Sequence, residues 1–273
     1  MAADVASTVE DGLGNTERRD AWWVGPLLTA LVLGGFIIYA TGRAVLGHGM
    51  HAYGYDGDEK HVTILEETHA HVLSPFFSPL LIIPNMPAWW SPAFLILWAP
   101  GGFRLTCYYY RKAYYRAFFW DPPGCAVGEV KGNRYMGETG LMIFQNLHRF
   151  FMYVAIIFIV ILSLDVVWAC MWPTDDGGMT FGVSVGTLVL LANTTLLALY
   201  TFSCHSLRHL IGGNMDCFSC VAMGDARYKA WKTVSSLNKH HMAFAWVSLF
   251  GVGLADFYVW MVASGTITDV RLI

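Results

Sequence analysis

Charged residues are scarce in this sequence. Only 14% of the 273 residues are Asp, Glu, Lys or Arg, whereas 55% are hydrophobic and 15% are aromatic. Soluble domains carry about 25% charged residues, so this composition indicates an integral membrane protein. The formal net charge is −3 and no basic block occurs, which argues against a nucleic acid as a partner.

A secretory signal is also missing from the start of the chain. Residues 1–21 are polar and acidic, and they lack the basic region and the short apolar core that such signals share. We therefore expect the first apolar segment to be retained as a membrane span. It follows a cytoplasmic tail over residues 1–20.

Five apolar stretches are long enough to cross a bilayer, which takes roughly 20 helical residues. They cover residues 21–42, 88–110, 150–172, 181–203 and 242–264. The sequence thus predicts an all-α integral membrane protein whose single membrane domain is residues 21–273. Its five transmembrane helices are expected near 21–46, 88–110, 146–172, 181–210 and 237–264. Residues 72–84 are too short and proline-rich to span, so we expect them to be interfacial or re-entrant.

Basic residues are nearly absent from one side of this arrangement. With the N-terminus inside, 14 of the 17 Lys and Arg residues fall in the tail, in connections 111–149 and 208–239, or beside them at Arg104. Basic loops favour the cytoplasmic side. The predicted topology therefore has a cytoplasmic N-terminus and a C-terminus outside.

Histidine is missing from the interiors of the predicted helices, and Cys and His collect at their cytoplasmic ends. These residues are Cys107 on the second helix, His148 on the third, Cys204, His205 and His209 on the fourth, and His240 and His241 on the fifth. Ionisable groups in a membrane are costly unless they are used. The convergence from four helices therefore indicates a redox cofactor or a metal at this level.

The remaining cytoplasmic cysteines carry a weaker signal. Cys125 and the C-x-x-C pair of Cys217 and Cys220 lie in the predicted loops. Because the cytoplasm is reducing, we expect thiols available as ligands rather than disulfides. Metal sites built from C-x-x-C usually show a second matched pair, and none is present here.

The stretch LYTFSCHSLRHLIGG at residues 199–213 combines a thiol with two imidazoles. At about 100° per residue, His205 and His209 differ by about 400° and so share one helix face within about 40°. Cys204 lies about 100° from His205 and can face a neighbouring helix. The two histidines can serve one site, or one can be a ligand while the other contacts a quinone, and spacing does not decide between these.

The Cys and His pattern bears on the identity of the cofactor. Two haems b need four axial histidines at two depths, which these helices lack, although one haem at the cytoplasmic side is compatible. Thiolates beside imidazoles instead suit a Rieske-type [2Fe–2S] centre with two Cys and two His ligands. The usual Rieske spacing C-x-H…C-x-x-H is absent.

Four segments resemble the membrane anchor of actinobacterial succinate dehydrogenase, or respiratory complex II. They are LTCYYYRKAYYRAFFWDPPGC, IFQNLHRFF, LYTFSCHSLRHLIGG and LNKHHMAFAWVSL, and the resemblance covers most of residues 88–262. It implies a subunit of the bacterial plasma membrane that docks a flavoprotein and an iron–sulfur subunit on its cytoplasmic face. Electrons from succinate would reach a quinone, expected to be menaquinone. Flavin catalysis belongs to another subunit, so no catalytic residue is expected here.

The chain is more similar to the class of anchors with a membrane-embedded Rieske-type [2Fe–2S] centre than to those with haem b. The resemblance implies Cys107 and one further Cys as ligands, for which Cys204 fits best, while Cys125, Cys217 and Cys220 stay open. Two imidazoles would come from His148, His205, His209, His240 and His241. Arg149, Tyr153 and Arg208 are candidate quinone contacts, for which the alternative role is interfacial anchoring.

Other classes of protein remain compatible with the sequence. One is a stand-alone cytochrome b, and another is an anchor without its own cofactor. A proton or ion transporter would use Asp165, Asn193 and Asp256 within the helices, but no inverted repeat supports it. Asp165 and Asp256 either line a proton or water path or reach the outer interface.

Overall fold

The computed structural model describes residues 12–46, 52–53, 72–81, 90–129, 144, 146–174, 178–213 and 215–273. Within these residues the protein is mostly helical. The α-helices are α1 Val24–Leu46, α2 Ala93–Thr106, α3 Tyr108–Tyr114, α4 His148–Trp168, α5 Val185–Phe202, α6 His205–Arg208, α7 Gly224–Asn238 and α8 His241–Ala263. Two π-helical turns, Tyr115–Phe119 and His209–Gly213, follow α3 and α6.

Short strands occur in two antiparallel pairs among the described residues. β1 (Ala52–Tyr53) pairs with β2 (Val72–Leu73). β3 (Met171–Pro173) and β4 (Met179–Phe181) form a hairpin in which Trp172 faces Thr180. This hairpin connects α4 to α5.

Four described helices are long and apolar enough to cross a membrane. These are α1, α4, α5 and α8, with 18 to 23 residues and mean hydropathies between 1.6 and 2.7. They coincide with the first, third, fourth and fifth predicted spans. The prediction of a mostly helical protein with several helices that could span a membrane is thereby confirmed.

The second predicted span, 88–110, differs from the single helix expected there. Its helix α2 has 14 residues and is about 21 Å long, which is shorter than a hydrocarbon core of about 30 Å. Cys107 then takes an extended conformation, with φ −66° and ψ 130°, and α3 begins after it. Pro100 lies within α2 without ending it, so the interruption falls at Cys107 rather than at the Pro-Gly-Gly sequence.

The chain divides into two compact units. The first comprises Met1–Tyr39 and Leu105–Asn146, and the second comprises Ala40–Arg104 and Leu147–Ile273. Cys107 therefore belongs to the first unit, and the other predicted metal ligands belong to the second.

In the first unit, the N-terminal segment pairs with the loop after α3. Backbone hydrogen bonds join Gly14 and Asn15 to Gly128, and the Thr16 hydroxyl donates to the Ala126 carbonyl. The Arg18 guanidinium reaches the Cys125 carbonyl at 3.0 Å. Arg18 also hydrogen-bonds Asp20, which lowers the pKa of that carboxyl below its usual value.

In the second unit, α5 packs between α4 and α8. Thr187 near the start of α5 donates to the Ala169 carbonyl after α4. Gly251 on α8 faces Leu196 on α5 so closely that a Cβ at Gly251 would lie 2.8 Å from the Leu196 side chain. α5 therefore contacts both neighbouring helices directly.

The C-terminal segment closes the end of the second unit where α5 begins. Val185 N donates to the Val270 carbonyl, and Leu272 N donates to the Val183 carbonyl. The Asp269 carboxylate accepts from Gly186 N at 2.8 Å. We call this the C-terminal end of the unit.

Residues 72–81 fold into the same unit as a buried, non-helical segment. Phe76 and Phe77 are almost fully buried. The Ser74 hydroxyl donates to Asp256 on α8, and the Ser78 hydroxyl donates to Asp165 on α4. The remaining residues of the predicted interfacial stretch, 82–84, lie outside the described part.

Candidate cofactor site

The site lies where α4 and α8 begin and α5 ends, opposite the C-terminal end of the second unit. We call this the histidine end. α5 stops at Phe202, and Cys204 adopts an extended backbone, with φ −61° and ψ 137°, that starts α6. The single helix expected over 181–210 is therefore interrupted at Cys204, whose Sγ contacts His148 of α4.

Cys204 and His148 form the central pair. His148 Nε2 lies 3.2 Å from Cys204 Sγ, and Cys204 is 1% exposed. The His148 ring stacks on Phe103 of α2, with ring centres 4.9 Å apart and an interplanar angle of 7°. Phe103 therefore fixes the imidazole plane while α4 and the α5–α6 break position the two donor atoms.

A second buried imidazole, His241, belongs to the same end. Its Nδ1 lies 2.7 Å from the Ser203 hydroxyl, and its ring stacks on Tyr200 at 5.1 Å. The Asn238 amide donates to the Ser203 carbonyl at 2.7 Å, which ties the last residue of α7 to this point.

Arg104 brings a positive charge next to these groups. Its guanidinium lies over the Tyr200 ring at 4.8 Å and donates to the Ala245 carbonyl at 3.1 Å and the Ser248 hydroxyl at 3.0 Å. Cation–π contacts of this kind gain strength where water is excluded. Arg104, Tyr200 and Ser248 thus form a polar layer just inside the histidine end.

The other predicted histidines lie at the surface of the second unit. His209 Nδ1 accepts from Arg149 Nη2 at 3.1 Å, so these two predicted site residues are partners of each other. His205 opens α6 and is exposed, and His240 is exposed with its ring 6.3 Å from Phe244. Among the predicted histidines, therefore, only His148 and His241 are turned into the protein.

The candidate quinone residues are dispersed at the same end. Arg208 Nε donates to Ser235 on α7 at 2.8 Å, and its guanidinium lies 5.1 Å from the centre of the Trp231 ring. Tyr153 on α4 is 40% exposed. Arg149 is exposed and bound to His209.

The cysteines differ from the expectation of free thiols in one place. Cys217 and Cys220 are joined by a disulfide with a Cα–Cα distance of 5.4 Å, so the prediction of thiols is wrong for this pair. A C-x-x-C spacing brings two sulfurs within bonding reach whether or not a metal is present. The sequence pattern therefore does not distinguish a disulfide from a pair of metal ligands. Cys107 and Cys204 are buried, Cys125 is exposed and Cys170 is partly buried, and none of these four is disulfide-bonded.

The donor atoms at the histidine end are of the types that suit a cofactor bound by both Cys and His. Thiolate and imidazole are the two ligand types of a Rieske-type centre, and Cys204 and His148 place one of each side by side. Within the described ranges, no three His, Cys, Asp or Glu side chains are gathered closely enough to hold one metal ion. Among the described residues of this end, one thiol and one imidazole are therefore adjacent without a third such group close by.

Several polar residues of this unit were not singled out as site residues from the sequence. Ser203 and Tyr200 contact His241, and Arg104 contacts Tyr200. An arginine inside a predicted span is a usable signal for Arg104. Ser203 and Tyr200 carry no such signal, because hydroxyl side chains are common near helix ends.

These features define a class: a multi-pass helical membrane subunit with a one-sided Cys and His site. The profile of the family described as actinobacterial succinate dehydrogenase subunit SdhC matches residues 24–265. The chain is also similar to a chain of the Mycobacterium smegmatis Sdh1 complex in the apo form, with 40% identity, a TM-score of 0.76 and 94% of each chain covered. No curated protein matches it.

The chain therefore belongs to the SdhC family of actinobacterial succinate dehydrogenases. It is a membrane-anchor subunit of that oxidoreductase complex and associates with its other subunits. This confirms the family resemblance of the four sequence segments.

Proposed function

We propose that the protein transfers electrons from the soluble subunits of succinate dehydrogenase to a quinone at the histidine end of its membrane domain. The observation that carries this proposal is the contact between the buried Cys204 thiol and the partly buried His148 imidazole. A thiol and an imidazole placed together in a membrane-embedded site are costly as packing groups and suited to binding a redox metal. The soluble partners would be the flavoprotein and the iron–sulfur subunit.

The proposed topology has five crossings, a cytoplasmic N-terminus and an outer C-terminus, in the bacterial plasma membrane. Pairing of residues 14–18 with 125–128 is consistent with a tail and a loop on the same side. Pairing of Val183 and Val185 with the C-terminal segment is consistent with α8 ending where α5 begins. The second crossing would combine the short helix α2 with the non-helical residues before it.

The proposed cofactor is a Rieske-type [2Fe–2S] centre, with haem b as the alternative. Cys204 and His148 would hold it, and His241 is the preferred second imidazole because it is buried at the same end of the unit. On sequence grounds alone, Cys107 stays the proposed second thiolate. Such a centre supplies one-electron transfer between the soluble subunits and the quinone.

The residues around this pair have roles that follow from their contacts. Phe103 and Tyr200 stack on His148 and His241 and so exclude water from the imidazole faces. Arg104 places a fixed positive charge beside Tyr200, which stabilises negative charge arriving at this end. A quinone, menaquinone in the proposed reaction, would approach the donors of Arg208, Arg149 and Tyr153.

Electron paramagnetic resonance and iron analysis of the purified complex test the ligand assignment. In Cys204→Ser and His148→Ala variants, we expect loss of one iron–sulfur signal and of quinone reduction, with the signals of the soluble iron–sulfur subunit retained. Cys125→Ser is the matched control, because that thiol is exposed and lies outside the pair. Its spectrum and activity should equal those of the unaltered complex.

Two outcomes would reject parts of this proposal. A reduced haem α-band without an additional iron–sulfur signal would favour haem b over the cluster. Retention of every iron signal and of quinone reduction in both Cys204→Ser and His148→Ala would remove the pair from the electron path.

A further inference from the structure

Asn193 is an amide buried in the middle of a membrane-spanning helix. It is the ninth of the 18 residues of α5, and its side chain is 2% exposed. Neither its Oδ1 nor its Nδ2 has a hydrogen-bond partner among the residues that the structure describes. Leaving such groups unsatisfied is costly, and at this depth no lipid group can pair with them.

The register of α5 against α8 places Asn193 between two polar layers. Ser203 contacts His241, and Leu196 faces Gly251, so the antiparallel helices bring Asn193 level with residues near 252 on α8. Ser248 lies about 6 Å along the helix axis toward the histidine end, and Asp256 lies about 6 Å the other way, at about 1.5 Å per residue.

The layer toward the histidine end is made by Ser248 and Arg104. The Ser248 hydroxyl is fully buried and accepts from Arg104 Nη2. Arg104 also lies over Tyr200, whose ring stacks on His241. Hydrogen-bonding groups thus extend inward from the histidine end as far as Ser248.

The layer toward the C-terminal end is built around Asp256. This carboxylate is fully buried and accepts from Arg43 Nε at 2.8 Å and Arg43 Nη2 at 3.2 Å, and also from Ser74. The Arg43 guanidinium lies 5.7 Å from the Phe77 ring centre and 5.1 Å from that of Trp260. Charged and hydroxyl groups therefore extend inward from the C-terminal end of the unit as far as Asp256.

We propose that Asn193 holds a chain of buried water molecules that joins the Asp256 cluster to the Ser248–Arg104 layer and conducts protons along the interface of α5 and α8. Each axial gap of about 6 Å equals roughly two hydrogen-bond lengths, so one or two waters bridge it. Buried waters form where polar groups lack protein partners. An amide that both donates and accepts can relay such a chain in the middle of the membrane.

This role rests on the proposed quinone reduction. Succinate oxidation in the soluble subunits releases two electrons and two protons there, and quinone takes up two electrons and two protons to form quinol. We assign the protons taken up by quinone to the path from the Asp256 cluster. For each succinate oxidised, two protons then leave the C-terminal side and two appear beside the soluble subunits.

The test uses the whole complex in liposomes with the soluble subunits facing the bath and a pH-sensitive dye in the lumen. With succinate and a soluble quinone, the unaltered complex should raise the luminal pH, and a protonophore should abolish this change. Asn193→Leu should lose the luminal pH change, and the quinone reduction that it retains in detergent then draws its protons from the side of the soluble subunits. Asn193→Ser, which keeps a hydrogen-bonding group, should retain it.

Two measurements serve as controls for correct folding of the variants. Asn193→Leu should assemble into the complex with unchanged or higher thermal stability, because it removes unsatisfied polar atoms; a marked loss of stability would instead indicate a structural role. Thr195→Leu, on the exposed face of the same helix, should behave like the unaltered complex in every assay.

Failure of the proposed function and failure of the proposed water path give different results. If the unaltered complex reduces no quinone in detergent, the proposed function is wrong. If it reduces quinone but leaves the luminal pH unchanged, or if Asn193→Leu moves protons as the unaltered complex does, the water path is wrong and the proposed function stands.

Discussion

Gly102 lies on α2 where that helix meets α4. A Cβ at this position would clash with the ring of Phe151, whereas a Cβ at Gly101 would meet nothing within 4 Å. The Phe151 ring also packs against Trp98, with ring centres 6.3 Å apart. Gly102 is therefore required for close helix contact, and the adjacent glycine is not.

We expect Gly102→Ala to lower the stability of the complex by about 1–3 kcal/mol, because overpacking displaces a large ring. The measurement is the temperature at which the anchor separates from the solubilised complex. Gly101→Ala is the matched control and should be neutral or slightly stabilising, since alanine favours helix. Equal effects from the two substitutions would contradict the packing argument.

Individual residues also show where sequence reasoning reaches its limit. Cys204 and His148 were both predicted as ligands from their depth, and the structure places their donor atoms 3.2 Å apart. Arg43 was not singled out from the sequence, yet it is 5% exposed and ion-paired with Asp256. Its partner lies 213 residues further along the chain, a distance over which helical periodicity carries no information.

The ends of α5 are determined by different interactions. At its start, Ser184 and Thr187 form a capping box, in which each side chain hydrogen-bonds the backbone N–H of the other. At its finish, the extended backbone of Cys204 interrupts the helix and α6 begins. The first boundary of the helix follows a recognisable local pattern, whereas the second does not.

Replacement of Ser184 by Ala should destabilise the start of α5 by about 1 kcal/mol, the usual effect of losing an N-cap side chain. Hydrogen exchange of the amides of residues 185–188 in the solubilised complex should accelerate. Thr195→Ala on the same helix is the control, because the Thr195 hydroxyl only bonds the carbonyl four residues earlier. Unchanged exchange in Ser184→Ala would mean that the C-terminal segment alone holds this end.

The second predicted span shows how a break between two helices can be hidden in a continuous apolar stretch. Hydropathy averages over residues 88–110 and does not register one extended residue. Cys107 separates α2 from α3, and Gly102 lets α2 approach Phe151. Helix length was therefore overestimated there, while the long apolar helices α4 and α8 were placed within a few residues.

For the molecule as a whole, membrane orientation is the property that most affects function. The proposed topology puts Lys239, beside the start of α8, in the cytoplasm and Ser264, just after its end, outside. Both residues are exposed. The 23 residues of α8 are about 34 Å long, which is enough to separate these positions across a bilayer.

A maleimide that does not cross membranes should label Ser264→Cys in intact cells and label Lys239→Cys only after lysis. Mass mapping of the labelled peptides distinguishes these positions from the native exposed Cys125. The reverse pattern would invert the topology, and labelling of both positions in intact cells would show that α8 does not cross the membrane.

The sequence by itself determined the membrane class, four of the long apolar helices, the family and the end of the molecule at which Cys and His collect. Composition, the length of apolar stretches and local motifs depend on residues that are close together in the sequence. These properties can therefore be recognised without knowledge of the fold.

Only the tertiary structure decided which of those residues meet. It paired Cys204 with His148, linked His209 to Arg149, turned Ser203 toward His241 and buried Arg43 beside Asp256. The physical reason is that helix packing and the break at Cys204 set these distances between segments remote in sequence. Local propensity and hydropathy describe each helix separately and leave its partners undetermined.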